Sequence, residues 1–320
     1  MTRSARSTQS RQEQFLAALD ELLRGPDLAQ APTGRADVAT SFGTTRVTSW
    51  GTAGGAPVVL LPGHGATSAA WAGVARRLGR TRRVHALELV GDAANRAGDP
   101  LSPADLSTPA TQGPRTRDDL VGWLDQVLRA VVPDGDVVLA GHSYGAWLAL
   151  SFALARPGAV ARLVLVDPTD CFGGPSLGYV LRALPLIVRP TPGRWESFVR
   201  WETRGAEVDA RWLEVSALGA GLPIGRVVRP SRPRPVELDR LSSPTLVLLA
   251  SRSRAHDVRR VAERARDVPA VTVERLSDAS HHSVPAGQAD ELAAVLDRWA
   301  TPERPPAGGP RRAAPSGPEP

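Results

Sequence analysis

The amino-acid sequence predicts an α/β fold, in which a mostly parallel, doubly wound sheet is interrupted by a helical cap insertion. From residue 57 onward, short apolar strands alternate with amphipathic helices, a pattern typical of a parallel sheet covered on both faces. Residues 171–240 interrupt this alternation, because they contain no clear strand but many aromatic and aliphatic side chains. With 320 residues, of which 42% are hydrophobic, the chain is long enough to bury a full core.

The N-terminal part precedes this alternating pattern. Residues 1–10 are polar and are expected to be disordered, whereas residues 11–35 are expected to form a helix and a linker. Within residues 11–24, four apolar side chains fall on one face at helical spacing: Phe15, Leu19, Leu22 and Leu23. Two strands are expected on either side of Gly43.

The core is predicted in two parts, residues 36–170 and 241–300. Its buried strands are expected at residues 57–61, 83–89, 136–140, 162–167, 245–250 and 271–276. Its helices are expected at residues 68–79, 117–131, 143–155, 255–267 and 287–300. A polar, proline-bearing loop is expected at residues 91–114.

The cap, residues 171–240, is too long and too apolar for a plain loop and is expected to be helical. Its aromatic side chains could form either one wall of an apolar pocket or the cap's own core: Trp195, Phe198, Trp201 and Trp212. The last segment, residues 301–320, is rich in proline and glycine and is expected to be disordered.

Composition restricts the partners that we expect. No apolar run reaches the length of a membrane span, and the N-terminal residues lack the apolar region of a signal peptide, so a cytoplasmic location is expected. Cys171 is the single cysteine, which excludes an internal disulfide. The net charge of +6 comes from scattered arginines, and no basic stripe with stacking aromatics indicates nucleic-acid binding. The sequence leaves the oligomeric state open.

The segment Gly141-His142-Ser143-Tyr144-Gly145 lies between an apolar strand and an apolar helix. A sharp strand-to-helix turn lifts a serine hydroxyl clear of the sheet, and glycines on both sides avoid collisions. Ser143 is therefore the candidate nucleophile.

A serine hydroxyl needs a base at neutral pH. His281 and His282 lie between the last predicted strand and the last helix, at the sheet edge where Ser143 is expected. His281 is the preferred base, and His282 is the alternative.

A developing oxyanion needs preorganised donors. One candidate is the backbone amide of Tyr144, which follows the nucleophile. The other is the amide of His64, in a glycine-rich turn between Gly63 and Gly65 that follows an early strand.

Three segments in this order, LLPGHGATSAAW, GHSYGAWLAL and SHHSVP, resemble the α/β-hydrolase fold superfamily. The resemblance extends over residues 36–300 and places the cap where that superfamily often has an insertion. It implies a serine hydrolase in which the nucleophile, the acid and the histidine follow each other in the chain. It does not identify the substrate, because esterases, lipases, thioesterases, C–C hydrolases and cofactor-free haloperoxidases share the fold.

The acid departs from the pattern that the resemblance implies. The usual carboxylate position after the penultimate strand is occupied by Ser253. Asp257, four residues later, is the preferred acid, although it could equally cap the following helix. Asp170, after the preceding strand, is the alternative acid, and Asp167 is expected to brace the end of that strand.

Together these residues predict a hydrolase that cleaves a small or medium apolar ester through an acyl-enzyme, without cofactor or metal. A thioesterase, an acyltransferase or a C–C hydrolase on the same fold is an alternative, as is a catalytically silent protein that binds a ligand. A dinucleotide-binding turn at residues 63–68, with Glu88 contacting a ribose, is a weaker alternative. It lacks the third glycine of that motif and leaves Ser143 and His281 unexplained.

Overall fold

A computed structural model describes residues 3–27, 30–52, 54–96, 113–133, 135–206 and 208–301. Eight strands form one sheet in the order β1-β2-β4-β3-β5-β6-β7-β8. The β1–β2 and β2–β4 pairs are antiparallel, and the remaining pairs are parallel. The predicted mostly parallel, doubly wound fold is therefore confirmed.

The strands are β1 Gly34–Thr40, β2 Gly43–Trp50, β3 Val58–Leu61, β4 Val84–Leu87, β5 Val138–His142, β6 Arg162–Val166, β7 Thr245–Ala250 and β8 Val271–Leu276. The helices of the described residues are α1 Arg3–Arg24, α2 Ala72–Leu78, α3 Arg117–Val131, α4 Tyr144–Ala155, α5 Leu177–Val188, α6 Pro192–Glu202, α7 Ala210–Gly219, α8 Pro235–Leu238, α9 Val258–Arg266 and α10 Ala289–Ala300. The predicted loop at residues 91–114 falls mainly on residues outside the described part of the chain.

Alternate residues of each central strand point into two separate hydrophobic clusters. In β3, Val58 and Leu60 pack with α2 and α10, whereas Val59 and Leu61 pack with α3, α4 and α9. Because both faces are covered, the central strands are mostly apolar, and β3 contains apolar residues at every position. The rigid sheet therefore fixes the positions of the loops that leave its carboxyl edge.

Four helices, α5 to α8, occupy the segment between β6 and β7, as expected for a cap. This segment lies over the carboxyl ends of the strands, since its residues share a cavity with the loops that follow β3, β5 and β8. Among the described residues, no helix combines the length and the apolar character needed to cross a lipid bilayer.

Helix α1 begins at Arg3, so the expectation of a disordered segment up to residue 10 is wrong for residues 3–10. The residues ahead of Phe15 are mostly polar, but apart from Gly and Pro most residue types are compatible with a helix, so polarity alone did not predict disorder correctly. The predicted apolar face is buried, and the helix packs on α7 of the cap. The Phe15 ring contacts α7 closely, because a methyl group added at Gly219 would lie 3.1 Å from it. The predicted disordered tail lies outside the described residues from position 302 onward.

We expect Phe15→Ala to lower the free energy of unfolding by about 3–5 kcal/mol, because it leaves a cavity between α1 and the cap. Urea unfolding followed by circular dichroism measures this loss. Gln14→Ala, at an exposed neighbouring position of the same helix, is the control and should change the free energy by less than about 0.5 kcal/mol. A loss below about 1 kcal/mol for Phe15→Ala would show that α1 does not hold the cap.

Candidate active site

Ser143 lies in a strained turn between β5 and α4. Its backbone has φ 54° and ψ −115°, a conformation that residues with a side chain rarely adopt. The strain is retained because buried strands and a buried helix hold both sides of the turn. The predicted strand-to-helix turn is therefore present.

The two glycines of the turn are required by close packing. A Cβ atom at Gly141 would overlap the carbonyl oxygen of Gly145, and a Cβ atom at Gly145 would overlap the carbonyl oxygen of Pro62. The first contact closes the turn, and the second packs the start of α4 against the end of β3. Glycine is therefore needed at both positions for steric reasons.

The structure brings His281 and Ser143 together, although 138 positions separate them in the chain. His281 Nε2 lies 2.9 Å from Ser143 Oγ, and His281 Nδ1 lies 2.6 Å from Asp167 Oδ2. A carboxylate only accepts hydrogen bonds, so Nδ1 carries the hydrogen and Nε2 is left to accept from the hydroxyl. The three side chains form a continuous hydrogen-bonded series.

Asp167 follows the last residue of β6 and has no exposed surface. Its Oδ1 accepts from the backbone N–H of Ala250, and its Oδ2 accepts from the Ser253 hydroxyl at 2.7 Å. His256 Nε2 lies 3.4 Å from Oδ1. Burial by itself would raise the pKa of Asp167, but the adjacent His256 and the hydrogen bond with His281 outweigh it and hold the pKa well below its usual value.

The preference for Asp257 as the partner of the imidazole is wrong. Its side chain is exposed and caps α9, where Oδ1 accepts from the backbone N–H groups of Arg259 and Arg260. The loop after β7 therefore turns the carboxylate away from His281 and presents Ser253 instead. Ser253 stands where the family resemblance implies the acid, and its hydroxyl donates to the carboxylate of Asp167, which follows the neighbouring strand β6.

Asp170, the alternative acid, lies at the wall of the cavity that contains the serine, and it too is not the carboxylate bonded to His281. Its backbone N–H donates to the Gly173 carbonyl, which closes a tight turn after β6. Burial raises the pKa of Asp170, and Arg232 and Arg229 oppose that rise.

His282, the alternative base, faces a different partner. Its Nδ1 lies 3.3 Å from Glu202 Oε2, and its ring stacks on the Tyr179 ring. Burial lowers the pKa of His282, and the hydrogen bond with Glu202 offsets part of this effect. His282 therefore forms part of the cavity wall, and His281 is the histidine that contacts the serine.

His142, which precedes the serine, packs against the base. Its ring centroid lies 4.8 Å from that of His281, and its Nε2 lies 3.0 Å from the His281 carbonyl oxygen. Burial lowers the pKa of His142 well below its usual value. A neutral ring with a hydrogen on Nε2 can therefore donate to the carbonyl and hold the histidine loop.

The glycine-rich turn after β3 lies beside the nucleophile. A Cβ atom at Gly63 would lie 3.3 Å from Ser143 Cβ, so His64 enters the same cavity as Ser143. Tyr144 is the first residue of α4, where backbone N–H groups have no partner within the helix. The backbone of both predicted oxyanion-hole residues thus belongs to segments that border the serine.

Two buried carboxyl groups lie behind this turn. Glu88 accepts from the backbone N–H and the hydroxyl of Ser68, and Asp92 Oδ1 lies 3.8 Å from His64 Nδ1. Burial raises the pKa of both carboxyl groups. Glu88, which the dinucleotide alternative would place on a ribose, instead holds the start of the helical turn at residues 68–71.

A cavity of about 360 Å³ connects the serine to the cap. Its walls contain Ser143, His281 and His282 together with aromatic cap residues: Tyr179, Trp195, Phe198 and Trp212. Trp201 lies elsewhere, under the Arg254 guanidinium. The site therefore opens into an apolar pocket. Within the described part of the chain, no group of three or more histidine, cysteine or carboxylate side chains is arranged to hold a metal ion.

Residues 58–295 match the sequence profile of the alpha/beta hydrolase family. The chain belongs to the alpha/beta hydrolase family. The matched region begins with β3, the strand that directly precedes the glycine-rich turn, and ends within α10. It therefore includes Ser143, Asp167 and His281, which follow the ends of β5, β6 and β8.

Curated relatives of this alpha/beta hydrolase family member match only part of its length. Lipase LipV of Mycobacterium tuberculosis is 33% identical over 174 residues, which cover 52% of this chain and 57% of that protein. Abhydrolase domain-containing protein abhd-5.2 of Caenorhabditis elegans is 35% identical over 112 residues, which cover 35% of this chain and 23% of that protein. The chain thus aligns with between about a quarter and somewhat more than half of these two relatives.

Solved structures share the fold over nearly the whole family member. Carboxylesterase CesB (YbfK) from Bacillus subtilis superposes with a TM-score of 0.76 at 21% identity, covering 91% of this chain and 98% of that chain. Naproxen esterase, also from Bacillus subtilis, superposes with a TM-score of 0.72 at 20% identity, covering 93% and 97% of the two chains. Because the sequence identities are only 21% and 20%, these structural similarities establish the fold and nothing more specific.

Sequence reasoning missed one further charged residue of the site, Glu202. This buried glutamate of α6 accepts hydrogen bonds from the His281, His282 and Arg254 backbone N–H groups. A signal was present, because Glu202 follows Trp195 by seven residues and therefore shares its helix face. A carboxylate on an aromatic, cavity-facing stripe needs buried donors.

The pKa of Glu202 predicts a pH effect on stability. Burial alone would raise it, but the hydrogen bond and the charge of His282 lower the pKa from 4.5 to about 2. As the pH falls, Glu202 therefore takes up its proton earlier in the unfolded chain than in the folded chain. Its contribution to the free energy of unfolding is fully present above about pH 4.5 and is lost as the pH falls toward about 2. We expect the difference in unfolding free energy between wild type and Glu202→Gln to shrink over that window.

Urea unfolding at a series of pH values measures this difference. Glu196→Gln, at a half-buried position of the same helix, is the control, because it removes one glutamate from α6 without touching the histidine loop. A pH-independent difference for Glu202→Gln would show that Glu202 is not stabilised as a carboxylate in the folded chain.

Proposed function

We propose that the protein is a serine hydrolase that cleaves a small or medium apolar carboxylic ester through an acyl-enzyme intermediate. The single observation that carries this proposal is the hydrogen-bonded series Ser143–His281–Asp167 at the floor of an apolar cavity. A nucleophile, a base and an orienting carboxylate in hydrogen-bond contact are the arrangement that acyl transfer requires.

In the acylation step, Ser143 Oγ attacks the ester carbonyl carbon while His281 Nε2 takes the hydroxyl proton. The tetrahedral intermediate then collapses, the bond to the alkoxy oxygen breaks, and His281 returns the proton to the leaving alcohol. Water attacks the acyl-enzyme in the same way, and the carboxylic acid leaves as the proton returns to Ser143. Asp167 holds the imidazole in the required tautomer and stabilises its protonated form.

We assign the oxyanion hole to the backbone N–H groups of His64 and Tyr144. The support is positional, because Gly63 packs on Ser143 and Tyr144 begins the helix after it. The amide at a helix N-terminus adds a partial positive charge that favours a negatively charged oxygen.

The substrate class is inferred from the cavity and from relatives. Aromatic cap side chains and few polar atoms surround the space next to the serine, which favours an apolar acyl or alcohol group. Lipase LipV and carboxylesterase CesB carry names that indicate ester hydrolysis. A pimeloyl-[acyl-carrier protein] methyl ester esterase of Nitrosomonas europaea, 26% identical over 215 residues, does so as well. We further propose that the chain acts in the cytoplasm.

We expect a fluorophosphonate probe to label wild-type protein at Ser143, and we expect the protein to hydrolyse para-nitrophenyl esters of short and medium acyl chains. Ser143→Ala should abolish labelling and lower kcat at least about 1000-fold, because the nucleophile is removed. Ser231→Ala, at an exposed position whose backbone carbonyl accepts from the Trp147 indole N–H, is the control, because the substitution keeps that carbonyl. A wild-type protein that is neither labelled nor active on any of these esters would indicate a silent binding protein.

We expect Asp167→Asn to lower kcat by about 10³- to 10⁴-fold, because an amide no longer fixes the imidazole in the required tautomer. Asp257→Asn is the matched control, since asparagine also caps helices and the side chain lies outside the cavity. Steady-state kinetics on a para-nitrophenyl ester, with circular dichroism to verify folding, measures both. Loss of activity in Asp257→Asn but not in Asp167→Asn would reverse the assignment of the acid.

A further inference from the structure

Glu202, the last residue of α6, is a fully buried carboxylate carried by the cap. Its Oε1 accepts from the backbone N–H of His281 at 3.0 Å and from that of Arg254 at 3.2 Å. Its Oε2 accepts from the backbone N–H of His282 at 2.9 Å. Several backbone N–H donors stabilise a carboxylate in its ionised form, so both oxygens are used as acceptors in this site.

The donors belong to the two loops that assemble the catalytic series. His281 itself contacts Ser143 and Asp167. Arg254 follows Ser253, whose hydroxyl donates to Asp167. One carboxylate thus connects the loop after β8, which carries the base, to the loop after β7, which holds the acid.

Building on the serine hydrolase function proposed above, we propose that Glu202 is a positioning residue for catalysis. Its carboxylate fixes the two loops, so that the His281 ring stays between Ser143 and Asp167. Glu202 does not line the cavity, so it acts through His281 and not on the substrate. An imidazole held within a fraction of an ångström of its productive place preserves the rate, and a misplacement of about 1 Å can cost about 100-fold.

Helix α6 carries both Glu202 and aromatic residues of the cavity wall. Trp195 and Phe198 precede Glu202 by seven and four residues, so all three lie on one face of α6, and both aromatic rings line the cavity. The Arg254 guanidinium also lies 4.6 Å from the Trp201 ring centroid, which adds a second contact between α6 and the loop after β7. The cap therefore supports the base as well as the pocket wall.

Glu202→Gln tests the proposal, because the glutamine NH₂ group would face a backbone N–H and leave two donors opposed. We expect kcat on a para-nitrophenyl ester to fall about 10- to 100-fold while KM changes less than about threefold, since the pocket is intact. The rate of fluorophosphonate labelling should fall in parallel. Glu196→Gln, on the same helix, should retain wild-type kinetics.

Amide hydrogen exchange tests the same contacts without an activity assay. In wild type, the N–H groups of Arg254, His281 and His282 should exchange slowly, and in Glu202→Gln they should exchange faster than in Glu196→Gln. Glu202→Asp keeps the charge but shortens the side chain by one methylene, so it should also lose kcat. It takes the place of the glutamine variant if that variant does not fold.

The proposal is overturned if the folded glutamine or aspartate variant retains kcat within about twofold. It is also overturned if the three wild-type amides exchange as rapidly as unprotected ones. A variant that loses thermal stability but keeps kcat at 20 °C, a temperature that we choose for the assay, would show a purely structural role. Failure of the hydrolase function itself appears differently, as a wild-type protein that is neither labelled at Ser143 nor active.

Discussion

The hydrogen bond between the buried Asp167 carboxylate and the His281 imidazole is the interaction on which the site depends. A charge without exposed surface is tolerated only when donors surround it. Here the Ala250 N–H, the Ser253 hydroxyl and the imidazole donate to it, and His256 lies beside it. Because these donors come from the last residue of β7 and from the loops after β7 and β8, satisfying one carboxylate brings those loops to the end of β6.

The sheet makes this convergence possible. Its central strands are parallel and buried on both faces, so their carboxyl ends lie along one rigid edge. The strained backbone at Ser143 persists because Gly145 packs directly against the end of β3 and the residues of α4 from Tyr144 to Ala153 are buried. Packing energy from the core is therefore used to hold a local conformation that the isolated segment would not adopt.

The cap does more than form one wall of the cavity next to Ser143. Glu202 satisfies backbone N–H groups of the histidine loop, and the neighbouring aromatic rings of α6 line the cavity. Helix α1 in turn packs on α7 of the cap through Phe15. A series of contacts thus extends from the N-terminal helix through the cap to the catalytic loops. The apolar face that the sequence predicts for this helix is therefore the face that packs on the protein, and the structure shows that the cap is the part it packs on.

The sequence by itself determined the strand and helix pattern, the turn at Ser143 and the choice of the 281–282 loop, because periodicity and glycine placement are local properties of the chain. Only the tertiary structure decided which carboxylate meets His281. Asp167, Asp170 and Asp257 all follow strands that end at the same edge, so spacing cannot separate them. The path of the loop after β7 turns Asp257 into a helix cap and leaves Asp167 buried beside the imidazole. The sequence places Glu202 on the same helix face as Trp195, but it does not show that the donors to Glu202 belong to the histidine loop, because that contact depends on how a distant insertion folds over the sheet.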